Sequence, residues 1–180
     1  SLSKTPVAVS VVSAETLAEA QVTSQQDLRS IAPGLSVRAS TNSNTLNYAL
    51  RGQTLDPLSD TTPGVVPYLN EVQLGGTASA AAFYDLQNVQ VLKGPQGTLF
   101  GRSATGGAVL FTTAKPSNEL GGYVSATGGN YAYRKAEGAI NVPIIAEDLL
   151  FRAAGVYQRR NGFQRNIFTN GGREGDYERY

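Results

Sequence analysis

Between Val89 and Pro116 the chain reads VQVLKGPQGTLFGRSATGGAVLFTTAKP, and no other stretch restricts the fold so tightly. Val89, Val91 and Leu92 predict a buried strand, and the apolar run from Ala108 to Thr113 predicts a second. Gly94-Pro95 and Gly97 predict a turn between them, and Thr98 to Gly101 one helical turn. Two nucleotide motifs are excluded. Gly101 and Gly106 have the spacing of a phosphate loop, but Gly107-Ala108 follows where Lys-Ser/Thr is required. No Gly-x-Gly-x-x-Gly spacing occurs in the block, so the dinucleotide fingerprint is absent there.

Composition removes further classes. The 180 residues contain no Cys, His, Met or Trp. Without Cys there is neither a disulfide framework nor a thiolate metal site, and without His the common hydrolytic dyads are missing. A net charge of +1 offers no footprint for nucleic acid. The absence of Met, with Ser1 at the start, leads us to expect an internal segment of a longer chain. No apolar run approaches the ~18 residues of a membrane-spanning helix. Barrel strands escape that test, because lipid-facing and lumen-facing residues alternate along them.

Residues 1–116 read as an α+β unit. Val7 to Val12 is a β-branched run that predicts a strand. Ser13 is placed to cap a short helix carrying Leu17, with Glu15 near its positive end. Thr23 and Gln26 have capping-box spacing for a second helix bearing Leu28 and Ile31, which Pro33-Gly34 ends. Leu35 to Arg38 and Tyr48 to Arg51 predict short strands. Val65 to Leu74 predicts a hairpin about Asn70-Glu71, and Ala78 to Phe83 a helical turn. This order is VAVSVVSAETL, DLRSIAPGLSVR, YALRGQ, VPYLNEVQL and then the glycine block. It resembles the plug domain of the TonB-dependent outer-membrane receptors, barrel proteins whose lumen is stopped by a small globular plug. The chain departs from the usual plug at Asn70-Glu71, where Asp-Gly is common. It also carries Lys93 in place of Arg, Gln90 in place of an acidic residue and Ser103 in place of Asn.

Lys115 to Asn118 reads as a linker, and beyond it the pattern changes. Val124, Ala126 and Gly128 alternate with Ser125 and Thr127. Ala136, Gly138, Ile140, Val142 and Ile144 alternate with Lys135, Glu137 and Asn141. Leu149, Phe151, Ala153, Gly155 and Tyr157 alternate with Arg152, Gln158 and Arg160. Each segment approximates the ~10 residues that cross a bilayer at a tilt. Short links fall at Gly129 to Tyr131 and at Ala146 to Asp148, and a long polar stretch runs from Asn161 to Asp176. Alternation alone also fits a soluble antiparallel meander; the plug resemblance favours a barrel. The expected fold class is an α+β plug domain (1–116) followed by antiparallel strands of an incomplete transmembrane β-barrel (120–180, about three strands). Plugged barrels have about 22 strands, so most of the wall is expected after Tyr180.

The resemblance implies a function and a set of residues. Arg51, Lys93 and, more weakly, Arg102 correspond to basic positions that meet carboxylates on the barrel's inner wall, forming a plug–barrel latch. Loops at Gln53, Thr54, Asp56 and Asp60, and at Thr77, Ser79, Phe83 and Tyr84, correspond to the floor of the ligand site. Gly52, Gly94, Gly97, Gly101, Gly106 and Gly107 are expected to serve the backbone through unusual conformations or close approach. The family implies active import of an extracellular small molecule such as an iron-siderophore across the bacterial outer membrane. It implies contact with outer-membrane lipid and drive from a TonB-type energy-coupling protein in the periplasm. It implies no cofactor, no bound metal, no nucleic acid and no catalytic residues. Two alternatives stay open: a signal-transducing receptor of the same architecture, and a soluble binding module with a glycine-rich loop.

Overall fold

The computed structural model describes residues 8–39, 46–54, 64–75, 83–95, 104–162, 164–165, 173–174 and 177–179. The chain divides into two compact units, Ser1–Thr113 and Ala114–Tyr180.

The first unit is built on a five-stranded sheet. In chain order its strands are β1 (Ala8–Ser13), β5 (Val65–Leu69), β6 (Val72–Gln73), β7 (Leu86–Lys93) and β8 (Gly107–Thr113). They lie side by side as β1-β7-β8-β5-β6, with β5 and β8 parallel and the other neighbours antiparallel. A smaller antiparallel sheet holds β2 (Leu35–Ala39), β3 (Leu46–Leu50) and β4 (Gln53–Thr54). Val89, Val91, Val109 and Phe111 point to one face of the large sheet, where they are buried with Leu17, Leu28, Val37 and Leu50. Val66, Tyr68, Ala104 and Ala108 form a second cluster with Leu92 and Leu110. The sheet is thus apolar on both faces, which is why β5 and β8 read as continuous apolar runs rather than alternating ones. Burial raises the Tyr68 phenol above its ordinary pKa.

The ends of the helical elements follow from single side chains. Ser13 caps α1 (Ala14–Glu19) by accepting from the Thr16 N–H, and its hydroxyl holds the Glu15 carboxyl below its ordinary value. The second helix expected from Thr23 and Gln26 is present as a 3-10 helix, Gln25–Ser30. Its cap sits one residue later. The Asp27 carboxylate accepts from the backbone N–H groups of Thr23 (3.1 Å) and Ser24 (2.9 Å) and from both hydroxyls. An ionised acceptor makes stronger bonds than an amide does, so Asp27 rather than Gln26 fixes the start. The buried Tyr48 hydroxyl donates to the buried Gln25 side chain, tying this helix to β3.

The expected hairpin at Asn70-Glu71 is present, with φ of 46° and 71° at the two residues. Positive φ at both positions is what a two-residue hairpin turn requires. Glu is poorly suited to it. The Asn70 side chain compensates by bonding to Thr113, where it accepts from the backbone N–H (3.1 Å) and donates to the hydroxyl (2.9 Å).

The second unit is a four-stranded antiparallel sheet ordered β14-β11-β10-β9. It contains β9 (Gly121–Gly129), β10 (Tyr133–Ile145), β11 (Leu149–Arg160) and β14 (Tyr177–Arg179). The three segments expected from alternation are there. The polar stretch after them holds two elements the alternation missed: a short hairpin of β12 (Gln164–Arg165) and β13 (Arg173–Glu174), and β14, which returns to pair with β11. The link after β9 is Asn130 to Ala132, with positive φ at Tyr131 and Ala132. The expected helical turns at Ala78 to Phe83 and Thr98 to Gly101 lie outside the described residues, apart from Phe83 itself.

Replacing Glu71 by Gly removes a side chain from a left-handed position that costs a non-glycine residue ~1–2 kcal/mol. Part of that gain is offset by the greater freedom of Gly in the unfolded chain, so a net stabilisation of about 0.5–1 kcal/mol is expected. Chemical denaturation of the first unit within the intact protein checks it; an unchanged or lowered midpoint contradicts the turn assignment.

Candidate functional site

Of the two basic positions singled out by sequence, one sits in a tight turn and the other at the end of a strand. Leu50, the last residue of β3, is fully buried. Arg51 (φ 52°) and Gly52 (φ 81°) then turn the chain directly into β4, with Leu50 paired to Gln53. The prediction of a strand running through Arg51 is therefore corrected: Arg51 is a turn residue in left-handed conformation. Its backbone N–H donates to the Gly34 carbonyl at 3.2 Å, and its side chain is exposed. Lys93 ends β7 between Ala8 on one side and Gly107 on the other, and is half-buried. Gly94 follows with φ 106°. Among the described residues neither Arg51 nor Lys93 has an ion-pair partner; the pair found there is Lys135–Glu137.

One glycine brings these two positions into relation. Gly107 opens β8 with φ 147°. A Cβ at this position would collide with the Leu92 carbonyl oxygen and would lie 2.7 Å from Leu50 Cδ2. Leu50 immediately precedes Arg51 and Leu92 immediately precedes Lys93, so both bases are anchored through neighbours that close on the same bare backbone. Gly106 is buried and extends the tie. Its carbonyl accepts from the Gly94 N–H at 3.0 Å, and its N–H donates to the Gly64 carbonyl at 2.6 Å. Gly94, Gly106 and Gly107 thus serve backbone packing, and that packing converges on the two basic positions.

The proposed ligand-loop residues fare differently. Thr54 is exposed, Gln53 pairs with Leu50 at the end of the small sheet, and Tyr84 is half-buried. Phe83 is corrected. It is buried in the main core, edge-on to Phe111 with ring centroids 6.2 Å apart, so its side chain packs the core rather than lining a loop. Arg102, Asp56, Asp60, Thr77, Ser79, Gly97 and Gly101 lie outside the described residues. Among the described residues there is no cluster of acidic side chains able to hold a metal ion.

The second unit separates its chemistry by face. Val124, Ala136, Ile140, Phe151 and Tyr157 share one face through the β9–β10–β11 register, and all are exposed, Val124 to 89%. The opposite face carries Tyr123, Lys135, Glu137, Asn141, Arg152 and Gln158. Glu137 is the only carboxylate on β9, β10 and β11. It is engaged by Lys135 at 2.7 Å and by the Tyr123 hydroxyl at 2.8 Å. An exposed apolar face and, opposite it, a hydrogen-bonded polar face are the distribution expected of a bilayer-crossing strand set. No helix among the described residues is long and apolar enough to cross a membrane.

The turn and alternation signals do not announce that Asn70, Asn118 and Asn141 fasten neighbouring backbone. Asn141 had a visible signal. It is a lone amide between Ile140 and Val142, and it is 3% exposed.

Comparison with known proteins agrees with this architecture. The family profile described as TonB-dependent Receptor Plug Domain matches residues 1–108. The chain is 37% identical over 125 residues to the pesticin receptor of Yersinia pestis, covering 69% of this chain and 18% of that protein. It is 30% identical over 147 residues to the ferrioxamine B receptor of Salmonella typhimurium, covering 78% of this chain and 20% of that protein. The crystal structure of the ferric yersiniabactin uptake receptor from Yersinia pestis superposes with a TM-score of 0.82 at 30% identity, over 94% of this chain and 27% of that one. The chain therefore spans about a fifth of the length of the curated relatives it matches.

Substituting Gly107 by Ala forces either the Leu92 carbonyl or the Leu50 side chain to move and adds strain at a φ that L-residues avoid. The expected cost is about 2–5 kcal/mol, read as loss of the first unit's protection from protease in the intact protein. Wild-type protection in this variant contradicts the close approach.

Proposed function

The chain belongs to the TonB-dependent receptors of the bacterial outer membrane, and from that premise we propose that it is the plug and opening barrel strands of an active importer for an iron chelate. Residues 1–116 form the plug and residues 120–180 begin the wall. The observation that carries this reading is the succession within one chain of a plug-type unit and a sheet whose exposed face is apolar. Relatives named for ferrioxamine B, ferrichrome and ferripyoverdine support a ferric siderophore as the cargo class.

In this reading the plug blocks the lumen until a chelate seated on its outward loops and on barrel loops biases it. A TonB-type protein in the periplasm then pulls on a segment N-terminal to β1. Arg51 and Lys93 latch the plug to carboxylates of the wall. Glu137 is already paired, so the latch acids lie on other strands. A desolvated pair resists displacement, because removing one partner of a buried pair costs ~3–5 kcal/mol. Lys93 lacks the guanidinium fork and so binds a carboxylate with less geometric restriction than Arg51 does.

Uptake of iron-55 carried by a panel of hydroxamate, catecholate and mixed siderophores tests the proposal in a strain dependent on the intact receptor. Expected is accumulation of at least one chelate that stops when the proton-motive force is collapsed. Binding of none of them, with normal receptor levels in the outer membrane, contradicts the cargo class. For the latch, the double variant Arg51→Ala, Lys93→Ala is expected to expose the plug to protease in the absence of cargo. Unchanged protection removes both residues from the role.

A further inference from the structure

The chain leaves the first unit and enters the second through a short connection, and both of its ends are fastened by an asparagine. On the N-terminal side the fastener is Asn70, at the tip of the β5–β6 hairpin. Its Oδ1 accepts from the Thr113 N–H at 3.1 Å, its Nδ2 donates to Thr113 Oγ1 at 2.9 Å, and its own N–H donates to the Phe111 carbonyl at 3.0 Å. The last residue of β8 is therefore held to a neighbouring element of its own unit. On the C-terminal side the fastener is Asn141, buried on β10. Its Oδ1 accepts from the Ser117 N–H at 3.0 Å, and its Nδ2 donates to the Ser117 carbonyl (2.9 Å), to Ser117 Oγ (3.1 Å) and to the Glu119 carbonyl. Asn118 adds a further bond: its Oδ1 accepts from the N–H of Glu147, at 2.7 Å, in the turn joining β10 to β11.

Between these clamps stand Ala114, Lys115 and Pro116, which lie outside regular secondary structure. Among the described residues no hydrogen bond or ion pair holds any of the three. Lys115 and Pro116 are exposed.

We propose that the joint between the two units is confined to Ala114–Pro116, and that Asn70 and Asn141 are the positioning residues that confine it. The expected linker Lys115–Asn118 is thereby shortened: Ser117 and Asn118 lie outside regular structure ahead of β9, yet they are hydrogen-bonded to β10 and to the turn that follows it. The clamps set a length. The four steps from Thr113 to Ser117 span at most ~14 Å when fully extended. While both clamps hold, only Ala114–Pro116 is left to bend between the two units. A peptide N–H held by a side-chain amide exchanges only when that bond opens, whereas an unbonded N–H exchanges freely, so each clamp, buried at Asn141 and exposed at Asn70, is visible in amide exchange. The inference rests on reading the two units as plug and wall for its consequence in transport; the clamps themselves do not depend on that reading.

Residue-resolved hydrogen exchange on the intact protein in detergent micelles tests it. In the wild type, the Thr113 and Ser117 amides are expected to be protected while those of Ala114 and Lys115 exchange fast. N141A is expected to raise exchange at Ser117 about tenfold, the loss of roughly one buried hydrogen bond's protection, with Thr113 unchanged. N70A is expected to do the reverse. Uniformly fast exchange from Thr113 to Ser117 in the wild type overturns the proposal even if neither variant folds. So does protection of Ala114 and Lys115 equal to that of their neighbours, or an N141A variant that frees both clamps together. Heat-modifiable migration in gels, the mark of a closed barrel, is recorded on the same samples. Its absence would count against the plug-and-wall reading and leave the exchange result to decide the clamps.

Discussion

The first unit depends on how closely β8 can approach its neighbours at Gly107. A single missing Cβ lets the strand pass against the Leu92 carbonyl and the Leu50 side chain. The close approach seats β8 between β7 and β5 and allows Val109 and Phe111 to reach the core. It also sets the position of Leu50 and Leu92, and through them that of Arg51 and Lys93. Packing and charge placement are in this way one constraint. Interiors are close-packed and transmit strain, so a shift of β8 at this point moves both bases together.

Asparagine plays the complementary part at the ends of elements. Asn70, Asn118 and Asn141 each supply a donor or an acceptor where the backbone ladder has run out. A side-chain amide offers both kinds of group in one plane and so can replace a missing strand partner. Asp27 does the same for the 3-10 helix with acceptor capacity alone. These contacts are local in geometry but distant in sequence, and they decide which segments are fixed and which are free to move.

Much of this was legible in the residues. β-branched runs and their glycine borders gave β1, β5, β7 and β8, and alternation gave β9, β10 and β11. What was not legible has identifiable causes. Thr23 with Gln26 and Ser24 with Asp27 share the same spacing, and only the stronger acceptor decides between them. Phe83 closes a run of small residues and so resembles a loop aromatic; its partner Phe111 is far along the chain and cannot be seen from its neighbours. The strand β14 carries no alternation because it is three residues long and polar. Arg51 looked like the end of a strand because nothing in Leu-Arg-Gly announces a left-handed arginine. Of the proposed ligand floor, only Gln53, Thr54, Phe83 and Tyr84 fall among the described residues, and Phe83 belongs to the core.

The second unit gives the account its physical direction. Exposed Val124, Ile140 and Phe151 on one face of a sheet are costly in water and favourable in hydrocarbon, while Tyr123, Lys135, Glu137 and Gln158 on the other satisfy one another or their neighbours. Backbone groups of such strands are satisfied only when the sheet continues into a closed wall. The most direct measurement is nitroxide scanning along β10 in the full receptor in a bilayer, comparing collisions with oxygen and with a water-soluble nickel chelate. The account predicts a two-residue period, with Ala136, Gly138, Ile140 and Val142 seen by oxygen and their neighbours shielded from it. Equal access of the nickel chelate to both sets would contradict a lipid-facing wall.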